Sequence, residues 1–255
     1  MGLLEGKKVL VTGVLNHESI AFAIARIAQE EGAEIVLTSF GRIKSITERA
    51  ARRLPDPPET LELDVSNDAD FEALTAELKS RWGRVDGVVH AIANVDKSCL
   101  DGNFLTGPWE DVAAGIRVST YSLVALANAT APLMPNGGSI VGLDFDASVA
   151  WPSYDWMGVA KAGLESAARY LARYLGPQQI RVNLVAAGPL STVAARGVGA
   201  IKMFDEVWSE RAPLGWNGKD TDPAAKAAVA LLSDWFPATT GEIVHVDGGY
   251  HAIGA

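Results

Sequence analysis

Cysteine is almost absent from the chain, and long runs of basic residues are missing. The single Cys99 cannot form an internal disulfide, and the first residues, MGLLEGKK, carry charges where a signal peptide needs an apolar stretch. The formal net charge of −9 would repel nucleic acid and anionic lipid. These absences predict a cytoplasmic protein that acts on small molecules, with no nucleic-acid or membrane partner.

Metal-ligand patterns are also missing. One cysteine excludes a thiolate cluster, and no metal-ligand spacing relates the four histidines, His17, His90, His245 and His251. Asp144 and Asp146 flank Phe145 and resemble an acid-base pair, but we interpret them as loop or solvated residues. We therefore expect no metal.

Charge is absent from one long stretch, Val118 to Leu143, whose length could span a bilayer. Pro132, Pro135 and the Asn136–Gly138 segment interrupt it. Such residues indicate the end of a buried helix, a turn and then a buried strand. We therefore reject a membrane span here.

Helix-like and strand-like segments alternate along all 255 residues, with no linker, repeat or low-complexity tract. This alternation predicts an α/β protein with a single-domain Rossmann fold, in which a doubly wound seven-stranded parallel sheet carries helices on both faces. A long helix is expected from near Ser153 to Leu175. The seven expected strands are Lys8–Thr12, Glu34–Thr38, Thr60–Val65, Val85–Ile92, Ser139–Leu143, Ile180–Ala186 and Glu242–Val246.

The turn after the first strand, Gly13 to Ser19, contains a single glycine and lacks the G-x-G-x-x-G pattern. Ligands of doubly wound sheets bind beyond the carboxyl ends of the strands. Ser19 and Ile20 begin the first helix, where free N–H groups favour a pyrophosphate. Ser19 could equally be an ordinary N-cap, and this segment alone does not decide between the two.

The second and third strands end in residues that could contact an adenosine. Asp64 and Val65 could place a carboxylate and an apolar wall beside an adenine, although Asp64 alone also suits a turn. No acidic residue follows the second strand, so charge does not settle the choice between NAD and NADP. Arg42 and Lys44 could meet an extra phosphate or be solvated.

The segment from Gly142 to Lys161 is the most informative. It holds Phe145 and, seven residues apart, Tyr154 and Lys161. The chain resembles an enoyl-acyl-carrier-protein reductase of the short-chain dehydrogenase superfamily over nearly its whole length, and most of all the actinobacterial NADH-dependent branch, which has Phe where many members have a second Tyr. The other segments that carry this resemblance are Ser19-Ile20-Ala21, Asp64-Val65, Ala186-Ala187-Gly188-Pro189 and Asp247-Gly248-Gly249.

The spacing of Tyr154 and Lys161 distinguishes two chemistries. Residues seven apart on a helix differ by about −20° in azimuth and about 10 Å in height, so both side chains can face one ligand. Carbonyl-reducing members of the superfamily usually have this pair four residues apart. The resemblance implies that Tyr154 stabilises the enolate oxygen of a thioester, that Lys161 binds the nicotinamide ribose, and that Phe145 shields the reacting groups.

The resemblance also implies the rest of the site. The phosphates of NADH would contact Gly13, Ser19 and Ile20, and its adenosine would contact Phe40, Asp64 and Val65. Its nicotinamide half would contact the residues after the fourth and sixth strands, namely Ile92, Ala93, Leu190, Ser191 and Thr192. Val95 and Tyr154 would contact the substrate, under a substrate-binding loop at about 193–205. Asn94 stands where an aromatic residue normally helps to build the acyl pocket. The implied partner is an acyl carrier protein that carries an enoyl thioester, and the implied assembly is a homotetramer.

Two other functions remain open from the sequence. One is another short-chain dehydrogenase that acts on a carbonyl or a specialised acyl substrate, against which the spacing of Tyr154 and Lys161 argues. The other is a non-catalytic dinucleotide sensor, because fold does not fix function. The intact Tyr154 and Lys161 argue against a sensor, whereas Asn94 is compatible with one.

Overall fold

A computed structural model of the chain describes residues 2–193, 199 and 201–254. Its strands are β1 (Lys8–Val11), β2 (Glu34–Ser39), β3 (Thr60–Glu62), β4 (Gly87–His90), β5 (Gly138–Asp144), β6 (Ile180–Ala187) and β7 (Ile243–Val246). They form one seven-stranded sheet in the order β3-β2-β1-β4-β5-β6-β7, and every neighbouring pair is parallel. The predicted doubly wound parallel sheet is confirmed.

The helices cover both faces of this sheet. They are α1 (Ile20–Glu30), α2 (Lys44–Ala51), α3 (Asp68–Trp82), α4 (Trp109–Ile116), α5 (Ser122–Thr130), α6 (Asp155–Leu175), α7 (Ile201–Arg211) and α8 (Asp222–Leu232). Helices α1, α2 and α8 pack in one hydrophobic cluster, and α3, α5 and α6 pack in another. A π-helical segment, Arg117–Tyr121, joins α4 to α5.

Alternation along the central strands divides the core between the two faces. Val9 and Val11 of β1 point into the cluster with α1 and α8, whereas Leu10 points into the cluster with α3 and α6. All three are fully buried. Burial of each such side chain stabilises the fold by about 1.5–3 kcal/mol. The central strands are therefore a stable support for the residues that follow their carboxyl ends.

Four strands are shorter than the sequence predicts: β1 and β7 by one residue each, and the third and fourth strands by more. The third ends at Glu62 rather than Val65, because Asp64 begins a turn in which its carboxylate accepts the N–H of Ser66 (2.8 Å). The fourth spans Gly87–His90 rather than Val85–Ile92, and the chain leaves the sheet after His90. Beyond β4, Ile92 and Ala93 are thereby released from the sheet, whereas beyond β3 Leu63 and Val65 remain buried in the core.

The part of the uncharged stretch that ends at Leu133 belongs to a helical run, Trp109–Leu133, that is long and apolar enough to cross a membrane by length and composition, with a mean hydropathy of 1.2. Leu123, Leu126 and Ala127 of this run are fully buried against the sheet. Core helices of soluble proteins meet the same criteria. We attribute the apolar character of the run to this packing.

Candidate active site

A cavity of about 610 Å³ opens at the carboxyl edge of the sheet, where the connections after β1 and β4 diverge. Ligands of doubly wound sheets bind at this switch point. Of the residues that the sequence singled out, the cavity is lined by Gly13, Ser19, Ile20, Ile92, Ala93, Asn94, Val95, Phe145, Tyr154, Lys161, Leu190 and Thr192. Residues from five separate parts of the chain therefore meet in one place.

Four predicted cofactor residues lie outside the cavity lining: Phe40, Asp64, Val65 and Ser191. Phe40 follows β2 and is 42% exposed, while Val65 is buried in the core beside α3. Ser191 donates its backbone N–H to Gly218 (2.7 Å), which fixes the loop that carries Leu190 and Thr192. The adenosine contacts thus remain predictions.

The first turn of α1 suits a pyrophosphate. Ser19 stands at the N-cap position, but its hydroxyl donates to the Asn16 carbonyl (2.7 Å) and does not cap the helix. No acidic residue lies in this turn, so the N–H groups of Ile20 and Ala21 and the positive helix dipole face the cavity unopposed.

Gly13 has a φ of +80°, and a Cβ there would lie 1.9 Å from the Ala91 carbonyl oxygen. Only glycine allows this close approach.

Lys161 reaches the cavity from the first half of α6. Its side chain is 6% exposed, and its Nζ donates to the Leu143 carbonyl at the end of β5 (2.8 Å). Burial lowers the pKa of the ammonium, and the nearby Asp144 carboxylate opposes this effect. An ammonium has three donors, so two remain for the vicinal hydroxyls of a ribose.

Tyr154 immediately precedes α6 and is half-buried in the cavity wall. Its neighbours Ser153 and Asp155 have φ angles of +61° and +38°, which is unusual for residues with side chains. Burial, and secondarily the charge of Asp144, raises the pKa of the phenol above its ordinary value. Tyr154 is therefore protonated at neutral pH and can donate a hydrogen bond.

Asp144 differs from its expected role. The sequence suggests a solvated or loop carboxylate, but Asp144 ends β5, is 6% exposed, and has no hydrogen-bond partner for either oxygen. Burial raises its pKa to about 7, and the charge of Lys161 opposes this shift. Our interpretation of Asp144 was wrong, because nothing in its flanking residues shows that the strand continues to this position.

The π-helical segment fixes the cavity wall in a way that the sequence does not reveal. The Ser119 hydroxyl accepts the N–H of Asn94 and donates to its carbonyl, both at 2.9 Å. Thr120 donates to the Ala160 carbonyl (2.6 Å), one residue before Lys161. Ser122 lies 2.7 Å from Nε2 of His90, whose pKa burial lowers to about 3. These bonds tie the loop after β4 to α6.

Phe145 lies between Tyr154 and the aromatic side chains of α7. Its ring centroid is 5.3 Å from that of Tyr154, in an edge-to-face arrangement. It is also 5.8 Å from Phe204 and 5.4 Å from Trp151. Phe145 is therefore placed to exclude water beside the Tyr154 phenol.

The predicted substrate-binding loop at 193–205 falls partly outside the described residues, namely 194–198 and 200. Its last residues, Ile201 to Asp205, form the first turn of α7, and Phe204 lines the cavity. Val95 also lines the cavity and is buried against Leu100 and Met157. Asn94, in contrast, is exposed.

Glu62 is a further residue that sequence reasoning missed. Its carboxylate accepts the N–H of Gly41 (2.7 Å) and pairs with Lys44 (3.4 Å), beside Phe40. An acidic side chain is therefore present next to the turn after β2, although none occurs in that turn. Only the pairing of β2 with β3 reveals it.

Among the described residues, no three His, Cys, Asp or Glu side chains are grouped in a way that could hold a metal ion. The features of the cavity are instead a helix N-terminus for phosphates, an ammonium with free donors and a protonated phenol. A Rossmann sheet with these groups at its switch point defines a dinucleotide-dependent oxidoreductase.

Comparison with known proteins identifies the family. The model of the enoyl-(acyl carrier protein) reductase family matches residues 13–251. An enoyl-[acyl-carrier-protein] reductase [NADH] of Mycolicibacterium smegmatis is 49% identical, with 97% of each chain covered. Proteins of the same name from Mycobacterium avium (48% identical, 97% of each chain) and Synechocystis (43% identical, 98% of each chain) are also similar. The chain belongs to the enoyl-acyl-carrier-protein reductase family, as its resemblance predicted.

Proposed function

We propose that the chain reduces the trans-2 double bond of an enoyl thioester with NADH, as an enoyl-acyl-carrier-protein reductase of fatty-acid elongation. The observation that carries this proposal is the meeting of Tyr154 and Lys161, seven residues apart, in one cavity at the switch point of the sheet. The names of relatives 43–49% identical over nearly the whole chain support the same reaction.

The cavity lining fits the nicotinamide half of the cofactor. Bound NADH supplies the hydride. The N–H groups at the start of α1 would hold its pyrophosphate, and Lys161 would hold the ribose hydroxyls with the two donors that Leu143 leaves free. Ile92, Ala93 and Thr192 would complete the contacts around the nicotinamide.

Tyr154 would act on the substrate. As the β-carbon of the enoyl group accepts the hydride, the electrons of the double bond move towards the carbonyl and negative charge develops on the thioester oxygen. The Tyr154 hydroxyl donates a hydrogen bond to that oxygen, and water then supplies the proton that completes the α-carbon. One preorganised donor of this kind contributes about 2.7–4 kcal/mol to the stabilisation of a transition state.

The preference for NADH has three supports. The relatives are named as NADH enzymes. In this chain the Glu62 carboxylate pairs with Lys44 and so removes the positive charge that Lys44 would offer to the 2′-phosphate of NADPH. Phe40 is exposed beside it and would offer its ring to the adenosine.

We further propose an acyl carrier protein as the carrier of the substrate, a homotetrameric assembly and a cytoplasmic location. The printed names of the relatives support the carrier. Tyr121, Tyr170 and Tyr174 are more than half exposed, which supports subunit contacts. Light scattering after size-exclusion chromatography tests the tetramer, and paired assays with acyl-carrier-protein and coenzyme A thioesters test the carrier.

The decisive experiment for the reaction follows NADH absorbance with purified protein and two thioesters of equal length, one trans-2-enoyl and one β-ketoacyl. We expect oxidation of NADH with the enoyl thioester and little with the ketoacyl thioester. Faster turnover of the ketoacyl thioester would establish a carbonyl reductase instead. Binding of NADH without turnover of either would establish a dinucleotide sensor.

A further inference from the structure

Two cavities share a group of aromatic side chains in their linings. The site cavity, about 610 Å³, is lined by Phe145 and Phe204, whereas a second cavity, about 250 Å³, is lined by Phe145, Trp151 and Trp208. We call these four side chains the aromatic wall. Phe145 lines both cavities, as does Ala187, and the other three side chains line one cavity each, so the wall forms part of the partition between the cavities.

The rings of the aromatic wall are in mutual contact. Trp151 lies 5.9 Å from Phe204 and 5.2 Å from Trp208, and Phe145 lies 6.0 Å from Trp208, measured between ring centroids. These separations are those of packed aromatic pairs. The wall therefore leaves no passage for a methylene chain between its members.

Further contacts fix the wall in place. Trp208 is 3% exposed and stacks on Tyr250 at 3.8 Å, and Arg211 covers the Tyr250 ring at 5.5 Å. The Trp151 indole N–H donates to the Asp146 carbonyl (2.5 Å). Displacing these rings would break close-packed contacts and a hydrogen bond, so a substrate cannot push the wall aside without a large cost.

The space beyond the wall does not suit a hydrocarbon. Its far side carries His251, which hydrogen-bonds Asp247 at 3.0 Å, and His245, which stacks on His251 at 3.9 Å. Asp146 lies 3.9 Å from His245. An acyl tail that crossed the wall would desolvate these polar groups without replacing their partners.

The position of Tyr154 directs the acyl tail towards this wall. A thioester held by the Tyr154 hydroxyl would have Phe145 beside its carbon chain, because the ring centroids of Phe145 and Tyr154 are 5.3 Å apart. The site cavity must also hold the nicotinamide half of the cofactor, and 610 Å³ is in the range of about 300–1,000 Å³ found for a single small-molecule pocket. Little of it remains for a long chain.

We propose that the aromatic wall ends the acyl path and restricts this enzyme to short enoyl groups, with Phe204 and Phe145 as the residues that set the limit. This inference rests on the proposed function, because it assumes that an enoyl thioester occupies the cavity. It assigns the substrate class that the sequence leaves open.

The first test measures kcat/KM for NADH-dependent reduction of butenoyl, octenoyl, dodecenoyl and hexadecenoyl thioesters on one carrier. We expect the values to fall by at least about tenfold between the octenoyl and hexadecenoyl substrates, since each methylene excluded from an apolar pocket loses a substantial factor. Equal or faster turnover of hexadecenoyl thioester would overturn the inference while leaving the proposed function intact.

The second test opens the wall. In Phe204→Ala the ratio of kcat/KM for dodecenoyl over butenoyl thioester should rise at least about tenfold over that of the parent protein. Phe104→Ala is the matched control, because Phe104 belongs to another aromatic pair, with Trp156 at 5.0 Å, outside the cavity. An unchanged ratio in Phe204→Ala would show that the tail runs elsewhere, past Val95 and Leu100, and would overturn the inference.

Two further measurements keep the test informative. Phe204→Leu removes less volume, so it should fold if the alanine variant does not, and it should shift the ratio in the same direction by a smaller factor.

Calorimetric titration of the protein with saturated acyl thioesters of the same lengths requires no turnover. Affinity that falls beyond the octanoyl length supports the wall, and affinity that keeps rising overturns it. Loss of all enoyl turnover with this length profile intact would count against the proposed reaction alone.

Discussion

The two ends of the proposed cofactor site are built in different ways. At the nicotinamide end, Lys161 is buried and hydrogen-bonded to Leu143, and Tyr154 is held between the aromatic wall and α6. At the adenosine end, Phe40 is 42% exposed and Glu62 is half exposed in an ion pair with Lys44. Buried groups act in a low dielectric and exposed ones in water. Substitutions at the nicotinamide end should therefore lower the catalytic activity far more than substitutions at the adenosine end change the preference between NADH and NADPH.

The largest effect is expected at the phenol. Tyr154→Phe should lower kcat by about 10²–10³-fold and leave the affinity for NADH nearly unchanged, because the hydroxyl binds the developing enolate more strongly than the ground-state thioester. Tyr170→Phe is the control, since Tyr170 lies on α6 but is 64% exposed. Steady-state kinetics and a fluorescence titration with NADH would separate the two quantities. Full kcat in Tyr154→Phe would refute this role.

The buried carboxylate should affect stability in a pH-dependent way. The pKa of Asp144 is raised from 3.8 to about 7 in the folded protein, so stability falls as the pH rises from about 4 to about 7. Lys161, Glu165 and Asp146 are the charged groups that act on it. Asparagine cannot ionise, so Asp144→Asn should gain stability relative to the parent protein, on the order of 2 kcal/mol between about pH 5 and pH 7.

Chemical denaturation across this pH range measures that difference. Asp56→Asn is the control, because Asp56 is exposed and is not among the groups that act on Asp144. A pH-independent difference between Asp144→Asn and the parent protein would contradict the account of Asp144.

The ammonium should matter for binding as well as for turnover. Lys161→Ala removes the charge-assisted hydrogen bonds to the ribose and should weaken NADH binding about tenfold or more, with a parallel loss of kcat/KM. Lys79→Ala, in the exposed face of α3, controls for the loss of one lysine. If Lys161→Ala bound NADH as tightly as the parent protein, Lys161 would not be a cofactor residue.

The smallest effect is expected at the exposed end. The parent protein should prefer NADH over NADPH by at least about tenfold in kcat/KM, roughly 1.4 kcal/mol. Glu62→Gln removes the negative charge and frees Lys44, so this preference should narrow a few-fold at low salt and less at high salt. Glu59→Gln, beside the amino end of β3, is the control. A preference for NADPH in the parent protein would instead implicate Arg42 and Lys44.

Sequence reasoning succeeded where the signal is periodic or local. The alternation of apolar segments predicted all seven strands and their parallel sheet, and the spacing of Tyr154 and Lys161 predicted that both would line one cavity. The family resemblance rested on the same short segments. These features depend on residues close together in the chain, where local geometry determines the outcome.

Sequence reasoning failed where a residue's environment is determined by a neighbour that is distant in sequence. The environment of Asp144 depends on where β5 ends, and the acidic group beside Phe40 comes from β3, more than twenty residues away. The π-helical turn is set by the partners of Ser119 and Thr120 on two other elements. The aromatic wall likewise joins Phe145 to residues of α7.

The most direct test of the proposed reaction is a single turnover with deuterium-labelled NADH. The protein is loaded with NADH that carries deuterium at the transferable position and is mixed with trans-2-octenoyl thioester, and the product is examined by mass spectrometry. We expect the saturated thioester with one deuterium on its β-carbon, formed more slowly by Tyr154→Phe. A hydroxyacyl product from a matched ketoacyl thioester, with the enoyl thioester left unchanged, would contradict it.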